Sequence, residues 1–437
     1  MNLPEAIASV ARRPVAVLGF GVSGQAAAAL LRQCGCGVEA YDEKTVPGVR
    51  GDFGPTEAKR HDLVVYSPGF RQDHAWLAAA RAAGCQCLGE LDFASLFWKG
   101  TLIAVTGTNG KTTLTEFLAT ALRRQGQSSV PAGNIGHPLS RLDDLGATEG
   151  RVAVCEVSSF QAEGLQYLQP HVLLWTNFDE DHLDRYANLR DYFSAKWNLV
   201  ERLAQPRLFV GESVALAAQK FGRKLPPAAV VVRRGDAWQP APAGSVFATH
   251  PQCENYLVAQ AYWLAEGYPL QVLEETAQSF STRRHRLAPV VEWQGVTYWN
   301  DSKGTNFHAT LAALESFSHP VVWIGGGKSK GGDIEGFAGK VAGRIREAFL
   351  IGETAGILAT GLHQRGVAAT QCESLREAVQ RSHDAARQSL PAQVLFSPGF
   401  SSFDMFHDYA ERGLAFEQAV LGLKAGRSGV MQETAPV

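Results

Sequence analysis

The stretch Thr101-Leu102-Ile103-Ala104-Val105-Thr106-Gly107-Thr108-Asn109-Gly110-Lys111-Thr112-Thr113 reads as a buried strand running into a glycine-rich turn. Its first residues are apolar and β-prone. From Leu114 onward the run LTEFLATALRRQG is amphipathic and reads as a helix. Strand, glycine-rich turn, Lys-Thr and helix together make a phosphate cradle. Glycine lets backbone N–H groups approach an anion, and a helix N-terminus adds partial positive charge. Lys111 has the reach for the β/γ-phosphates, and the Thr112 hydroxyl suits Mg²⁺. The motif departs from a standard Walker A, because Gly107 stands three residues before Gly110 where the usual spacing is five. A tight strand–helix turn with an incidental Lys-Thr is the plain alternative.

The chain has 437 residues, enough for about three domains. It is 45% hydrophobic and 19% charged, an ordinary globular mixture. A formal charge of −2 speaks against nucleic acid or an anionic membrane as partner, and Arg283-Arg284-His285-Arg286 is too short to change that. Seven scattered cysteines, with only Cys34/Cys36 and Cys85/Cys87 close together, suit buried thiols in a reducing cytosol better than a disulfide framework. The first residues lack the apolar core of a signal peptide, and no apolar run reaches membrane-spanning length. A cytoplasmic monomer without membrane insertion is expected.

Working outward from the cradle, the chain divides into three α/β blocks, 1–97, 98–283 and 284–437. The first alternates strands at Val15–Leu18, Val38–Tyr41, Leu63–Tyr66 and Cys85–Leu88 with helices. The second continues with strands at Val152–Val157 and Val172–Thr176, and holds a surface loop at 240–244. The third opens on a hairpin, PVVEW-QG-VTYWN, and adds strands at Val321–Ile324, Ala348–Ile351 and Val394–Phe396. Alternating β and α predicts parallel sheets with helices on both faces. The tail from about Ala425 reads as disordered.

In such sheets ligands sit beyond the carboxyl ends of the strands. That rule selects Glu156, followed by Ser158-Ser159-Phe160-Gln161, and Asp179-Glu180-Asp181-His182 after the next strand. Together with the phosphate loop they are expected to share one rim, where a carboxylate opposite Lys-Thr suits a nucleotide-bound cation. Lys196, inside the amphipathic run DYFSAKWNLVERL, reads as a solvated helix lysine. In the first block Gly19-Phe20-Gly21-Val22-Ser23-Gly24, with Asp42 closing the next strand, is a G-x-G-x-x-G loop. It fits a dinucleotide, and a UDP moiety satisfies it equally. Ser67-Pro68-Gly69 ends another strand and could line the same crevice. The third block places 300–306, 325–333 and 397–402 at strand ends, either as ordinary turns or as a second substrate surface.

Together these residues resemble the Mur ligase family, and within it the glutamate-adding branch. GTNGKTT (107–113) marks the superfamily. GNIGHP (133–138), EVSSFQAE (156–163), NFDEDHLD (177–184), NDSKGTN (300–306), GGGKSKGGD (325–333) and SPGFSSFDMF (397–406) are more specific to that branch. The resemblance implies a Rossmann-like UDP-binding domain, a central P-loop ATPase domain and a Rossmann-like C-terminal domain. It implies a ligase for peptidoglycan precursors that uses ATP and Mg²⁺ and joins D-glutamate to UDP-N-acetylmuramoyl-L-alanine through an acyl phosphate.

Carried over residue by residue, the resemblance places Lys111, Glu156, His182, Lys196 and Lys303 in catalysis. Gly107, Thr108, Asn109, Gly110, Lys111, Thr112 and Thr113, with Asn255, Arg286 and Asp301, would bind ATP. Ser23, Asp42, Ser67, Gly69, Asn134, Ser159 and His182 would hold the UDP substrate. Thr305, Lys330, Ser402, Phe403 and Tyr409 would hold glutamate. Metal would rest on Thr112, Glu156, His182 and Lys196, the last as a carbamate, which reverses its plain reading.

Some positions differ from the family's usual pattern. Its His-Asn-x-x-Asn is Pro251-Gln252-Cys253-Glu254-Asn255 here, Ser-Pro-Ala is Ser397-Pro398-Gly399, and a usual Phe is Tyr409. These leave open an L-glutamate-adding variant or another amino-acid ligase of the superfamily. An NAD-dependent oxidoreductase is the rival from another class, and it leaves Lys111, Glu156 and Lys303 without a task.

Overall fold

The computed structural model describes residues 2–141 and 148–432. Among them the chain forms three sheets, one in each block. The first contains β1 (Val15–Leu18), β2 (Val38–Tyr41), β3 (Leu63–Tyr66) and β4 (Gln86–Gly89), in the order β2-β1-β3-β4. All its pairs are parallel. The order reverses between β1 and β3, which opens a crevice at their carboxyl ends. Ala16, Leu18, Tyr41, Val64, Tyr66 and Leu77 form the core on one face.

The second sheet contains β5 (Thr101–Thr106), β6 (Ser129–Gly133), β7 (Val152–Glu156), β8 (Val172–Trp175), β9 (Leu208–Gly211) and β10 (Val230–Val232). Its order is β10-β9-β8-β5-β7-β6, again all parallel. β5, the strand of the phosphate loop, lies between β7 and β8. After its first residue it is buried throughout, as a strand covered on both faces must be. The helix Lys111–Arg124 buries Leu114, Phe117, Leu118, Ala121 and Leu122, the expected apolar stripe. Arg123 and Arg124 fall in its last turn, where they complement the dipole.

The third sheet contains β11 (Ala288–Trp293), β12 (Val296–Asn300), β13 (Val321–Gly326), β14 (Ile345–Ile351), β15 (Ala368–Gln371) and β16 (Ala392–Phe396), ordered β11-β12-β16-β13-β14-β15. The predicted hairpin β11–β12 is its antiparallel pair. Gln294 and Gly295 form the turn with φ of 52° and 77°, the positive pair a two-residue hairpin requires. Two cores cover the faces, one with Tyr298, Phe349, Phe396 and Phe416, the other with Trp323, Phe337, Leu350 and Leu395.

The chain packs as two compact units. The first two sheets share one, made of 1–178, 190–245 and 254–280. The other holds 179–189, 246–253 and the third sheet from 281 onward. The segment with Asp179–His182 therefore belongs to a different unit from the phosphate loop, although one rim was expected for both. The last helix runs Tyr409–Gln432 and anchors Phe416 and Val420 in the core, so the order predicted to end near Ala425 continues. No proline interrupts it before Pro436. The last five residues of the predicted tail lie outside the described residues. Cys85, Cys87, Cys155 and Cys372 are buried thiols as expected, whereas Cys34, Cys36 and Cys253 are only half-buried.

Candidate active site

The phosphate loop is built at the end of β5. Gly107 has φ of 150° and Gly110 φ of 82°, values that favour glycine. A Cβ on Gly107 would strike Thr176 Oγ1, and one on Gly110 would strike the Asn255 side chain. The end of β8 holds the loop in shape. Thr108 N donates to Asn177 O (3.0 Å), Asn109 N to Asn177 Oδ1 (2.9 Å), and Thr176 Oγ1 to Asn109 O (2.6 Å). Gly110 caps the helix Lys111–Arg124 with no side-chain cap, and a helix N-terminus favours an anion.

Lys111 Nζ donates to Gly107 O (2.9 Å) and Thr108 O (2.8 Å). Lys196 Nζ reaches the same Gly107 O (2.9 Å) and lies 5.0 Å from the centre of the Tyr192 ring. Lys196 is only 1% exposed. The expectation of a solvated lysine is thus overturned: the helix Leu189–Glu201 turns this residue inward, onto the loop.

Glu156 ends β7, beside β5 in register with Val105. It is buried, and its Oε1 accepts from Asn134 Nδ2 (3.1 Å). Its Oε2 has no hydrogen-bond partner among the described residues. Ser158 caps the next short helix with a reciprocal Gln161 contact, and Ser159 is buried there. Glu156 and Thr112 suit a hard cation, since one offers a carboxylate oxygen without a partner and the other a hydroxyl. No group of three or more His, Cys, Asp or Glu forms a cage among the described residues.

In the first crevice Ser67 Oγ donates to Gly19 O (2.8 Å), and a Cβ on Gly24 would strike that same carbonyl. Asp42 Oδ2 accepts from Phe20 N (2.6 Å) and Oδ1 from Lys44 N (2.9 Å). Ser23 lies in the first turn of the helix Val22–Gln33, while Gly69 is exposed on its turn.

In the second unit three adjacent strands, β12, β16 and β13, bring their end loops together. Gly326 N donates to Pro398 O (2.9 Å), Gly399 N to Gly304 O (2.8 Å), and Lys328 N to Ser401 O (2.9 Å). Asp301 is buried and accepts from Ser397 Oγ (2.7 Å) and Leu287 N (3.1 Å). Burial pushes its carboxyl up to about 7, against the pull of Ser397, Leu287 N, Arg286 and Lys303. Lys303 Nζ sits 4.6 Å from the centre of the Tyr409 ring. His285 (φ 65°) and Leu287 (φ 47°) flank Arg286 in left-handed backbone, a strained turn of the kind found at functional sites.

An open cleft of about 280 Å³ is lined by His182, Thr305, Phe307, Lys330 and Phe400, among others. Lys330 Nζ bonds Asp181 Oδ1 (3.2 Å) and Thr305 Oγ1 (3.4 Å), and Asn306 Nδ2 donates to Asp181 Oδ2 (2.8 Å). Burial alone would raise the Asp181 carboxyl, but Lys330, His182 and Asn306 outweigh it and hold it well below the carboxylate range. Of the predicted glutamate set, Thr305 and Lys330 meet directly. Ser402 is buried and Phe403 is 68% exposed, so these neighbours differ sharply in environment.

Arg412 escaped the sequence reading, and Asp181 was selected only as part of the 179–182 loop, with no role of its own. Arg412 is 1% exposed and donates to Ser302 Oγ (3.1 Å), Ser302 O (2.9 Å), Phe400 O (3.1 Å) and Ser401 O (3.2 Å). Burial lowers its guanidinium to about 10. It fastens the loop after β12 to the loop after β16. The only sequence signal was an Arg on the inner stripe of a helix that otherwise buries Phe416 and Val420.

A phosphate loop on a parallel sheet, followed by a second α/β unit rich in polar strand ends, is an architecture suited to an ATP-dependent ligase. The chain matches the Mur ligase middle domain over residues 105–232 and the Mur ligase glutamate ligase domain over 285–399. It belongs to the Mur ligase family. Among its relatives, the UDP-N-acetylmuramoylalanine--D-glutamate ligase of Geotalea daltonii is 35% identical, covering 84% of each chain. That of Chromobacterium violaceum is 34% identical over 96% of this chain and 99% of its own. Solved structures share the fold at lower identity. A UDP-N-acetylmuramate-alanine ligase from Thermotoga maritima aligns with a TM-score of 0.58 at 17% identity, covering 95% of this chain and 100% of its own. A MurF ligase from the same organism, in complex with ADP, gives 0.56 at 16%, covering 95% and 96%. No helix among the described residues is long and apolar enough to cross a membrane.

Proposed function

We propose that this protein joins D-glutamate to UDP-N-acetylmuramoyl-L-alanine at the expense of ATP, as a monomer in the cytoplasm, in peptidoglycan precursor synthesis. The observation that carries the reading is the meeting of Lys111 and Lys196 on Gly107 O, with Glu156 one strand away at the same sheet end. The blocks 1–97, 98–283 and 284–437 are assigned to the UDP moiety, to ATP and to glutamate with ATP, respectively.

A carboxylate is a poor electrophile, because its negative charge repels an amine and oxide is a poor leaving group. Phosphorylation by ATP makes the substrate's alanyl carboxylate an acyl phosphate. The glutamate amine attacks its carbonyl carbon, and the tetrahedral intermediate expels phosphate to leave the amide. Lys111 and the N–H groups of Gly107–Thr113 hold the phosphates and offset charge on the transferred group. Thr112 and Glu156 would hold Mg²⁺, which supplies further charge neutralisation when bound. His182 is assigned to a second cation, and Lys196 contributes as a carbamate. Asn255, Arg286, Asp301 and Lys303 are assigned to ATP. Ser23, Asp42, Ser67, Gly69, Asn134 and Ser159 take the UDP substrate, and Thr305, Lys330, Ser402, Phe403 and Tyr409 the incoming glutamate. Lys330 offers the cation that a glutamate carboxylate needs.

Phosphate release from ATP and Mg²⁺ with UDP-N-acetylmuramoyl-L-alanine tests the reading, comparing D-glutamate, L-glutamate and no amino acid. Release that depends on D-glutamate, with a product one glutamyl residue heavier by mass, is expected. Dependence on L-glutamate would move the pocket assignment, and no release with either would refute the acceptor.

A further inference from the structure

We propose that Glu90 is a positioning residue that anchors the loop Gly133–Ser140 and so keeps Asn134 on Glu156. This rests on the ligase reading of Glu156, but its geometry stands independently. Glu90 follows β4 and opens the short helix Glu90–Ser95 at the edge of the first sheet. It is 2% exposed, and Ser140 is 3% exposed. Both Ser140 N (3.0 Å) and Ser140 Oγ donate to Glu90 Oε1.

The other end of this loop is tied to Glu156 twice. Asn134 N donates to Glu156 O (3.0 Å) and Asn134 Nδ2 to Glu156 Oε1 (3.1 Å). Between the ends, Gly133 N donates to His137 O (2.8 Å), and Ile135 and Leu139 are buried. A Cβ on Gly133 would strike Glu156 O, so the loop has no room to approach more closely. The loop is therefore a short, braced span with Glu156 at one foot and Glu90 at the other. Only the Glu90 foot comes from the first sheet.

Glu90 Oε2 has no hydrogen-bond partner among the described residues. A buried carboxylate with one bare oxygen is expensive. Burial raises this carboxyl, which favours the protonated acid; the Ser140 contacts oppose the rise. Among the described residues, Ser140 is the hydrogen-bond partner this acid has.

Asp92 supplies the control. It lies two residues further along the same helix and is 1% exposed. Its carboxylate accepts from the backbone N–H groups of Gln166 (2.8 Å), Tyr167 (2.9 Å) and Leu168 (2.7 Å). That is a clasp between the first two sheets, but it holds a stretch that carries no candidate site residue. If Glu90 merely joins the sheets, its loss and that of Asp92 should act alike.

The experiment compares Glu90→Leu, Glu90→Gln, Ser140→Ala and Asp92→Asn in the full chain. Hydrogen exchange of peptides spanning 133–141 is followed alongside KM and kcat. Glu90→Leu is expected to speed exchange in that peptide at least tenfold and to raise KM for the UDP substrate about tenfold. KM for ATP should stay within twofold. Glu90→Gln keeps an acceptor for Ser140 and is expected to restore both readouts to within about threefold of the parent. Asp92→Asn should lower the melting temperature without changing either readout. Ser140→Ala removes one donor from the opposite side and keeps the question open to refutation if Glu90→Leu does not fold. Parent-like exchange at 133–141 in Ser140→Ala and in whichever Glu90 variants fold would overturn the proposal. An inactive parent enzyme would sink the ligase reading alone, because the exchange measurement needs no turnover.

Discussion

Replacing Asp301 by Asn is expected to stabilise the protein above neutral pH while weakening its use of ATP. Burial raises this carboxyl from 3.8 to about 7. Between those values the folded state holds a proton that the unfolded chain has released. Stability from this group is therefore full at low pH, falls as pH rises through the window, and is lowest above it. At about 1.4 kcal/mol per pH unit, the ionised form costs about 4 kcal/mol. Asparagine carries no charge at any pH. Its Oδ1 keeps the bond from Leu287 N, and its amide can donate to Ser397 Oγ, whose hydroxyl is free to turn to Thr310 Oγ1, 3.1 Å away. Urea unfolding, read by hydrogen-exchange labelling of peptides from β12 and β16, follows this unit alone. Parent and variant should have equal midpoints near pH 4 and diverge in the variant's favour by pH 8. A gap that does not change with pH would refute the reasoning. A buried carboxylate kept at such a cost fits a functional site better than a structural one.

Three further outcomes are expected. Gly110→Ala forces a Cβ into left-handed backbone, a cost of about 1–2 kcal/mol, and against Asn255; calorimetry should show ATP binding weakened at least tenfold. Lys330→Ala strips Asp181 of its cation, and breaking such a buried pair costs about 3 kcal/mol. The lowered Asp181 carboxyl gives the parent stability that is complete above the ordinary carboxylate range and is lost only as pH falls below it, so the Lys330→Ala melting deficit should be larger at about pH 6 than at about pH 2.5. Arg412→Met leaves four oxygen acceptors without this donor, and a loss of about 3 kcal/mol should appear in urea unfolding, with Lys a poor substitute for the planar fork.

Strands buried on both faces were legible because they read as unbroken apolar runs: β1, β3, β5, β7 and β8 match their expected spans within a residue or two. Of the four strands not predicted, β6, β10 and β15 are sheet edges. An edge strand is covered less and tolerates residues that blur the pattern, such as Pro131 and Gly133 in β6. The loops at the strand ends were legible as glycine-rich punctuation. What their side chains touch was not. Periodicity placed Lys196 on a helix, where a lysine is by default expected to face water, and only the packing shows this one turned onto Gly107 O. Arg412 was missed for the same reason, since it acts through Ser302 and backbone carbonyls, and the strand-end reading that selected Asp181 could not show its contact with Lys330, 149 residues away.

The same contacts separate the rival chemistries. All three sheets offer glycine-rich turns at strand ends, so fold alone does not choose between a hydride-transfer enzyme and a ligase. In a dinucleotide site the acid after the second strand accepts from the ribose hydroxyls. Here both Asp42 oxygens accept from backbone N–H groups of the loop's own surroundings, Phe20 and Lys44. The acid closes the glycine loop, and it leaves the helix N-terminus as the anion-binding element, which suits a diphosphate without demanding a nicotinamide. In the second sheet the balance is opposite. Glu156 keeps an oxygen with no partner among the described residues, and two lysines converge on one carbonyl of the phosphate loop. Charge that is internally satisfied marks a binding wall. A carboxylate oxygen without a partner among the described residues, beside a phosphate loop, is what a nucleotide-bound cation needs, and that supports the ligase reading over hydride transfer.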